Sequence, residues 1–410
     1  MMKRRLRSHF VIFLTVFCLS VLYTLFFLTG KPVIFGLNIL NRERTGAHSP
    51  LSLDAVDQRQ DGVIEITGTT KDIDSKLRQR SDRIEFRIFK ESGDHLMYSY
   101  DLLLTSLPWE SNPSNLAKFR EKLLNHTNST FQDEFVLTRR NVRVGEKLPF
   151  TYSNTRPNSK KEVFYKLSKR FIKDDVPPNS PLSGKRYKRC SVVGNGGILS
   201  YSSCGKEIDQ SDYVIRSNLP PLRPHAADAG WKTNLTTMNP SVADHRFNNL
   251  KTKADANEFV KVIGDYYGVL WMPCVGSPAR IKLCFKAKHT LDRYGVRNPK
   301  TSIANPFHYL AIIDFWKSRN MTIFPTTGFY MTHLALTMCE ETHLYGFWPF
   351  PYRVPDRVTD PWTNTMRNVK YHYFDKIGSN KAHSMNDEFA VLLQMHVMGL
   401  LKLHVRDCDV

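Results

Sequence analysis

Acidic residues are scarce in this 410-residue chain: 39 Asp and Glu stand against 58 Lys and Arg, leaving a formal charge of +19. That balance alone would suit nucleic acid, an anionic membrane or an acidic substrate. Other absences are sharper. No CxxC and no close HxxxH grouping occurs, which removes the usual zinc frameworks. No GxGxxG fingerprint is present, so the common dinucleotide signature is missing. No internal repeat is visible, which excludes solenoids and propellers.

What is present begins with one uncharged run of 19 residues, Phe10 to Leu28. As a helix rising about 1.5 Å per residue it nearly crosses a ~30 Å hydrocarbon core. Lys3, Arg4, Arg5 and Arg7 precede it, so the positive-inside rule keeps the N-terminus cytoplasmic and sends the rest to a lumen. A cleaved signal peptide is the rival, but the run is long and the following GKPVIFGLN lacks a small-residue cleavage pattern. A luminal body suits disulfides. Cys18 lies in the expected span, and the other six cysteines (Cys190, Cys204, Cys274, Cys284, Cys339, Cys408) allow 15 pairings. Glycosylation sequons at Asn125, Asn128, Asn234 and Asn320 agree with that compartment.

Length favours one large folded domain with lighter appendages. The expected layout is a cytoplasmic tail (1–9), an anchor (10–28), a mixed polar stem (29–115) and a catalytic domain (116–410) opened by the helical pattern from Asn115. From Arg139 to Arg189 the chain carries 15 Lys and Arg against Glu146, Glu162, Asp174 and Asp175. Beyond it, short β-rich runs alternate with helical ones, the pattern of an α/β sheet flanked by helices. Strands are expected at Cys190–Val193, Tyr213–Arg216, Leu235–Met238, Val269–Met272, His343–Phe347 and Leu401–Val405. Helices are expected at Tyr309–Arg319, Phe329–Cys339 and Asn386–Leu400.

Four segments could carry chemistry. Gly194, Asn195, Gly196 and Gly197 follow a β-branched strand, where glycine permits positive φ and close approach to a phosphate, although such a turn is more often structural. Pro325, Thr326, Thr327 and Gly328 lead into an apolar helix, so a threonine can cap it while free N–H groups face an anion. His372 in YHYFD and His383 in HSMNDE titrate near neutrality and suit proton transfer, though any lone histidine is more often structural.

KRCSVVGNGGILSYSSCGKEIDQSDYVIRSNLPP, around Cys190, resembles the large motif of animal sialyltransferases. PTTGFYMTHLALTMCEETHLYGFWPF resembles their small motif, and YHYFDK and HSMNDE resemble the two short C-terminal motifs, all in family order. LYGFWPF and KTNLTTMNPS look like the α2,8 branch. The resemblance covers roughly residues 140–410 and implies an α/β, Rossmann-like (GT-A variant), mainly parallel sheet with helices on both faces. It implies transfer of sialic acid from CMP-sialic acid with inversion, to a sialylated glycoprotein or glycolipid. No metal and no cofactor are expected, and the DxD triplet Asp407-Cys408-Asp409 is not expected to hold one. The resemblance further implies a type II Golgi membrane protein, with a homodimer left open.

The same resemblance implies Cys190 paired with Cys339 and Cys204 with Cys408, leaving Cys274 and Cys284 free for a third, local bridge. It places the donor on Asn195, Asn218, Thr326, Thr327, Gly328, Trp348 and His372, and makes His383 the base. Glu388 could orient that segment or be a surface helix-start carboxylate. Ser217 departs from the more common RCN form of the large motif. The basic stretch reads as a generally cationic surface or as a grip on an anionic polymer. The alternatives are a sialyltransferase of α2,3 or α2,6 linkage, which LYGFWPF disfavours, and an inactive glycan-binding homologue, which His372 and His383 disfavour. A nucleic-acid partner is excluded by the expected topology.

Overall fold

Seven short runs lie side by side as parallel strands in a computed structural model that describes residues 104, 108–128, 131–154, 163–319, 321, 324–353, 367–376, 378 and 383–408. They are β1 (Tyr187–Val193), β2 (Tyr213–Arg216), β3 (Leu235–Thr237), β4 (Val269–Met272), β5 (Lys300–Ile303), β6 (Cys339–Tyr345) and β7 (Lys402–His404). Their order is β7-β6-β1-β2-β3-β4-β5, every pair parallel. Two antiparallel pairs, Lys147–Pro149 with Phe164–Lys166 and Tyr352–Arg353 with Arg367–Asn368, stand apart.

Why these runs make such a sheet is visible in their burial. All residues of β2, β3 and β4 are buried, as strands covered by helices on both faces require. Alternate side chains enter different cores: Val269 and Trp271 join Val192, Ile215, Phe329 and Leu344 in one apolar cluster, whereas Leu270 and Met272 join Phe259, Cys284 and Leu291 in another. A third cluster, holding Val193, Val214, Tyr345 and Tyr373, occupies the second face near β1 and β6.

The helices used below are α1 (Pro113–Thr127), α2 (Gly205–Asp209), α3 (Pro240–Arg246), α4 (Lys253–Ile263), α5 (Pro278–Arg293), α6 (Pro306–Lys317), α7 (Thr327–Met338) and α8 (Met385–Val397). Local chemistry sets their starts. Pro occupies the first turn of α1, α3, α5 and α6, where its missing N–H costs nothing, and Thr252 with Asp255 forms a capping box on α4.

The observed boundaries shift several expectations. The strand expected at His343–Phe347 begins at Cys339, so β6 abuts α7 without a linker, and Phe347 lies beyond it. The strands expected at Leu235–Met238 and Leu401–Val405 are shorter, at Leu235–Thr237 and Lys402–His404. β5 was not expected: Lys-Thr-Ser-Ile is an edge strand with an exposed and a half-buried residue, too polar to read as a run. α4 and α5 were also missed.

Three disulfides join Cys190 to Cys339, Cys204 to Cys408 and Cys274 to Cys284, across sequence separations of 149, 204 and 10. The first ties β1 to the start of β6, and the last ties the turn after β4 to α5. The expected anchor at 10–28 and the stem to residue 103 lie outside the described residues. Among the described residues, no helix is long and apolar enough to cross a membrane. Asn125 and Asn128 are exposed, Asn234 is half-buried with its side-chain oxygen accepting from Val214 N, and Asn320 lies outside the described residues.

Candidate active site

The chain winds outward from β1 to β5, then returns to place β6 on the other side of β1. In a parallel sheet this reversal opens a crevice at the carboxyl ends of the two central strands, where ligands bind. Here those ends are Val193-Gly194-Asn195 and Tyr345-Gly346-Phe347.

Backbone contacts close the floor of that crevice. Gly194 N donates to Tyr345 O at 2.8 Å, Gly196 N to Gly346 O at 3.0 Å, and Gly197 N to Lys370 O at 3.1 Å. A Cβ at Gly196 would stand 2.5 Å from Gly346 O, and one at Gly197 would stand 2.2 Å from Lys370 O. The glycines are therefore required by neighbouring backbone, and none of the three uses the positive φ that glycine permits. Gly346, at φ +73°, is the left-handed residue of this turn.

Asn195 lies at the centre. Its carbonyl accepts from Tyr373 N at 3.0 Å, drawing the histidine segment over the β1 end, and its Nδ2 donates to Ser217 O at 3.0 Å. Asn195 Oδ1 and Ser217 Oγ are both buried without a hydrogen-bond partner among the described residues. Two orphaned polar atoms on adjacent strand ends are the pattern left by a polar ligand. Asn218 and Leu219 follow with φ of 60° and 53°, left-handed geometry that is uncommon for Leu. Asn218 N donates to Thr237 Oγ1, and its Oδ1 accepts from Asn239 N, each at 3.0 Å. Asn239 Oδ1 in turn accepts from Thr327 Oγ1 at 3.2 Å, which links the ends of β2 and β3 to the start of α7.

That helix start is the second wall. Thr326 caps α7, its Oγ1 accepting from Phe329 N at 3.1 Å, so the first-turn N–H groups and helix dipole favour an anion. Gly328 sits where a Cβ would lie 3.2 Å from the Phe347 ring and 3.5 Å from Ser217 Oγ. Glu388, near the start of α8, is 4% exposed and grips the same cap: Thr326 N and Oγ1 meet its two oxygens at 2.5 and 2.6 Å. The surface-carboxylate reading of Glu388 is thus corrected. Burial pushes its pKa up to about 8, against the opposing hydrogen bonds from Thr326.

His383 and His372 differ in their partners. His383 Nδ1 lies 2.8 Å from Phe324 O, and a carbonyl can only accept, so Nδ1 carries the proton and Nε2 keeps its lone pair. Burial lowers the pKa of His383, with the Phe324 carbonyl acting the other way. His372 Nδ1 instead faces Asp375 Oδ1 at 2.9 Å, and its ring stacks on Phe374. Trp348 is buried, uses its indole N–H on Tyr352 O at 2.8 Å and packs against Phe389 of α8, so it supports the site as a wall.

The structure thus links Asn195, Asn218, Thr326, Thr327 and Gly328 through shared hydrogen bonds and contacts, holds His372 through its segment's tie to Asn195, and holds His383 beside the α7 cap. Sequence reading missed Asn239, whose Asn-Pro start to α3 was the available signal. A cavity of about 610 Å³ lined by Lys206, Asp209 and Trp231 among others includes none of these residues. In the triplet Asp407-Cys408-Asp409, Asp407 Oδ1 pairs with Arg353 at 2.6 Å and Cys408 is bridged, while Asp409 lies outside the described residues, as does a second triplet, Asp72-Ile73-Asp74.

Part of the basic stretch is structural. Arg139 donates to the carbonyls of Ile172, Lys173 and Val176, Arg186 to Thr337 O, and Arg189 to Ser211 Oγ and Glu207 O.

Comparison with known proteins finds sialyltransferases. An alpha-2,8-sialyltransferase 8F of Homo sapiens is 34% identical over 322 residues, 78% of this chain and 75% of that protein. An alpha-N-acetylneuraminide alpha-2,8-sialyltransferase of Xenopus laevis is 35% identical over 282 residues, 67% of this chain and 71% of that protein. A crystal structure of a mammalian sialyltransferase aligns over 82% of this chain and 94% of its own at 18% identity with a TM-score of 0.36. Residues 132–400 match the profile of glycosyltransferase family 29, the sialyltransferases, and the chain belongs to that family.

Proposed function

We propose that this sialyltransferase moves sialic acid from CMP-sialic acid to a terminal sialic acid of a glycoprotein or glycolipid, forming an α2,8 linkage with inversion and without a metal. The observation that carries the reading is the α7 start, where the base candidate His383 and the buried Glu388 hold the two ends of the Phe324–Thr326 segment.

In this reading the phosphate of the donor lies at the first turn of α7, with Thr326, Thr327 and Gly328, while Asn195 and Asn218 meet its nucleoside part and Trp348 walls the pocket. The acceptor hydroxyl oxygen attacks the anomeric carbon from the face opposite the phosphate, and the bond from that carbon to the phosphate oxygen breaks through an oxocarbenium-like transition state. His383 Nε2 takes the hydroxyl proton. CMP departs with the bonding electron pair, its charge met by the α7 N–H groups and by His372. Relatives named alpha-2,8-sialyltransferases support the linkage. The sheet order supports a Rossmann-like, GT-A-variant domain over residues 116–410. Residues 10–28 would anchor it in the Golgi membrane, with 29–115 as a luminal stem.

The test is CMP release from CMP-sialic acid with a sialylated acceptor, in the presence of EDTA, followed by linkage analysis of the product. Acceptor-dependent release yielding an α2,8 product supports the proposal. Release abolished by EDTA, or another linkage, would overturn the corresponding part.

A further inference from the structure

A second group of polar side chains lies on the β6/β7 side of the sheet and takes no part in the proposed transfer. His343 of β6 and His404 of β7 stack on one another, with Nδ1 of the first 3.0 Å from Nε2 of the second. Glu207 of α2 brings Oε1 to 3.8 Å from that same His404 Nε2. The three potential ligand atoms lie within 4.8 Å of one another.

Hydrogen bonding leaves one nitrogen of this arrangement unpaired. Only one proton can lie between the two facing nitrogens, and His343 Nε2 is buried without a hydrogen-bond partner among the described residues, with Glu341 Oε2 3.6 Å away. His343 is 6% exposed, so this orphan lies inside the protein. If His343 carries its proton on Nε2, that N–H faces the Glu341 carboxylate and the Nδ1 lone pair is directed at the site. At 3.6 Å this is an electrostatic contact and not a hydrogen bond, a looser form of the carboxylate–histidine–metal arrangement. Glu207 is oriented likewise, since Tyr345 OH donates to its Oε1 at 2.8 Å.

We propose that His343 Nδ1, His404 Nε2 and Glu207 Oε1 bind a borderline divalent cation such as zinc, with a fourth position left to water. Two imidazoles and one carboxylate match the preferences of zinc, copper or nickel over those of magnesium or calcium. The ion clips β6, β7 and α2 together, close to the Cys204–Cys408 bridge that joins the same segments. Its role is structural, because none of its ligands belongs to the proposed donor site or is the proposed base. It is therefore compatible with transfer in EDTA.

The test uses the full chain in detergent, stripped with a chelator, titrated with zinc chloride and followed by thermal unfolding. Wild type should gain about 5 °C in Tm once zinc exceeds its dissociation constant about a hundredfold. Cobalt substituted for zinc should give the visible bands of a four-coordinate site. Glu207→Gln keeps the Tyr345 contact and is partly exposed, so it should fold normally yet lose most of the shift, and His404→Gln should lose it entirely. No zinc-dependent shift in wild type, or an equal shift in folded Glu207→Gln, would overturn the site.

Discussion

The two histidines proposed for the transfer stand at different walls of one crevice. His383 gives its Nδ1 proton to a neutral carbonyl and is largely buried, so its imidazolium is disfavoured. His372 rests on the Asp375 carboxylate among the aromatic rings of Tyr371 and Phe374, so a positive ring there has a countercharge. In the proposed transfer, one residue type is thus given two roles by its neighbours: an acceptor of the hydroxyl proton and a companion for departing negative charge.

The largest expected effect comes from removing the first. His383→Ala should lower acceptor-dependent kcat about 10²- to 10⁴-fold with little change in KM for the donor, measured as CMP release. His372→Ala should cost roughly 10- to 100-fold and should also raise donor KM, because the lost contact is to the phosphate end. Asp375→Ala should weaken kcat in the same direction and by less, through His372 alone. Replacing both Cys190 and Cys339 by Ser, which loosens β1 from β6 beneath both walls, should cost about 2–5 kcal/mol in denaturant unfolding.

Glu388 supplies a smaller, pH-dependent contrast. Its folded pKa of about 8 is raised above the unfolded value near 4.5, so the folded state holds more protons between those values. The stabilisation is present in full below about pH 4.5 and is lost as pH rises through about 8. Thermal unfolding of Glu388→Gln should therefore lose less Tm between pH 6 and 9 than wild type.

How much of this was legible in the sequence depended on the kind of signal. β2 and β4 were read at their observed bounds because their apolar runs are buried on both faces and bounded by turn residues. β5 was not, because an edge strand with Lys and Thr on it has no apolar run to find. The large and small motifs meet at the carboxyl ends of β1 and β6, yet residue type could not tell that Gly196 and Gly197 yield to neighbouring carbonyls, or that Trp348 is walled in. For Glu388 the two readings stayed open for a related reason. A carboxylate in the first turn of a helix looks the same in sequence whether it faces water or lies 4% exposed against a threonine cap 62 residues upstream. Nothing local in the sequence could align His343, His404 and Glu207, which come from two neighbouring strands and a helix.

The most direct test of the account is the pH dependence of kcat/KM for transfer in wild type and in His383→Ala. A buried neutral base predicts a wild-type acid limb with an apparent pKa below the ordinary histidine value of 6.5, lost together with the rate in the variant. A variant that retained both the wild-type rate and the same acid limb would contradict it, and would move the base elsewhere in the crevice.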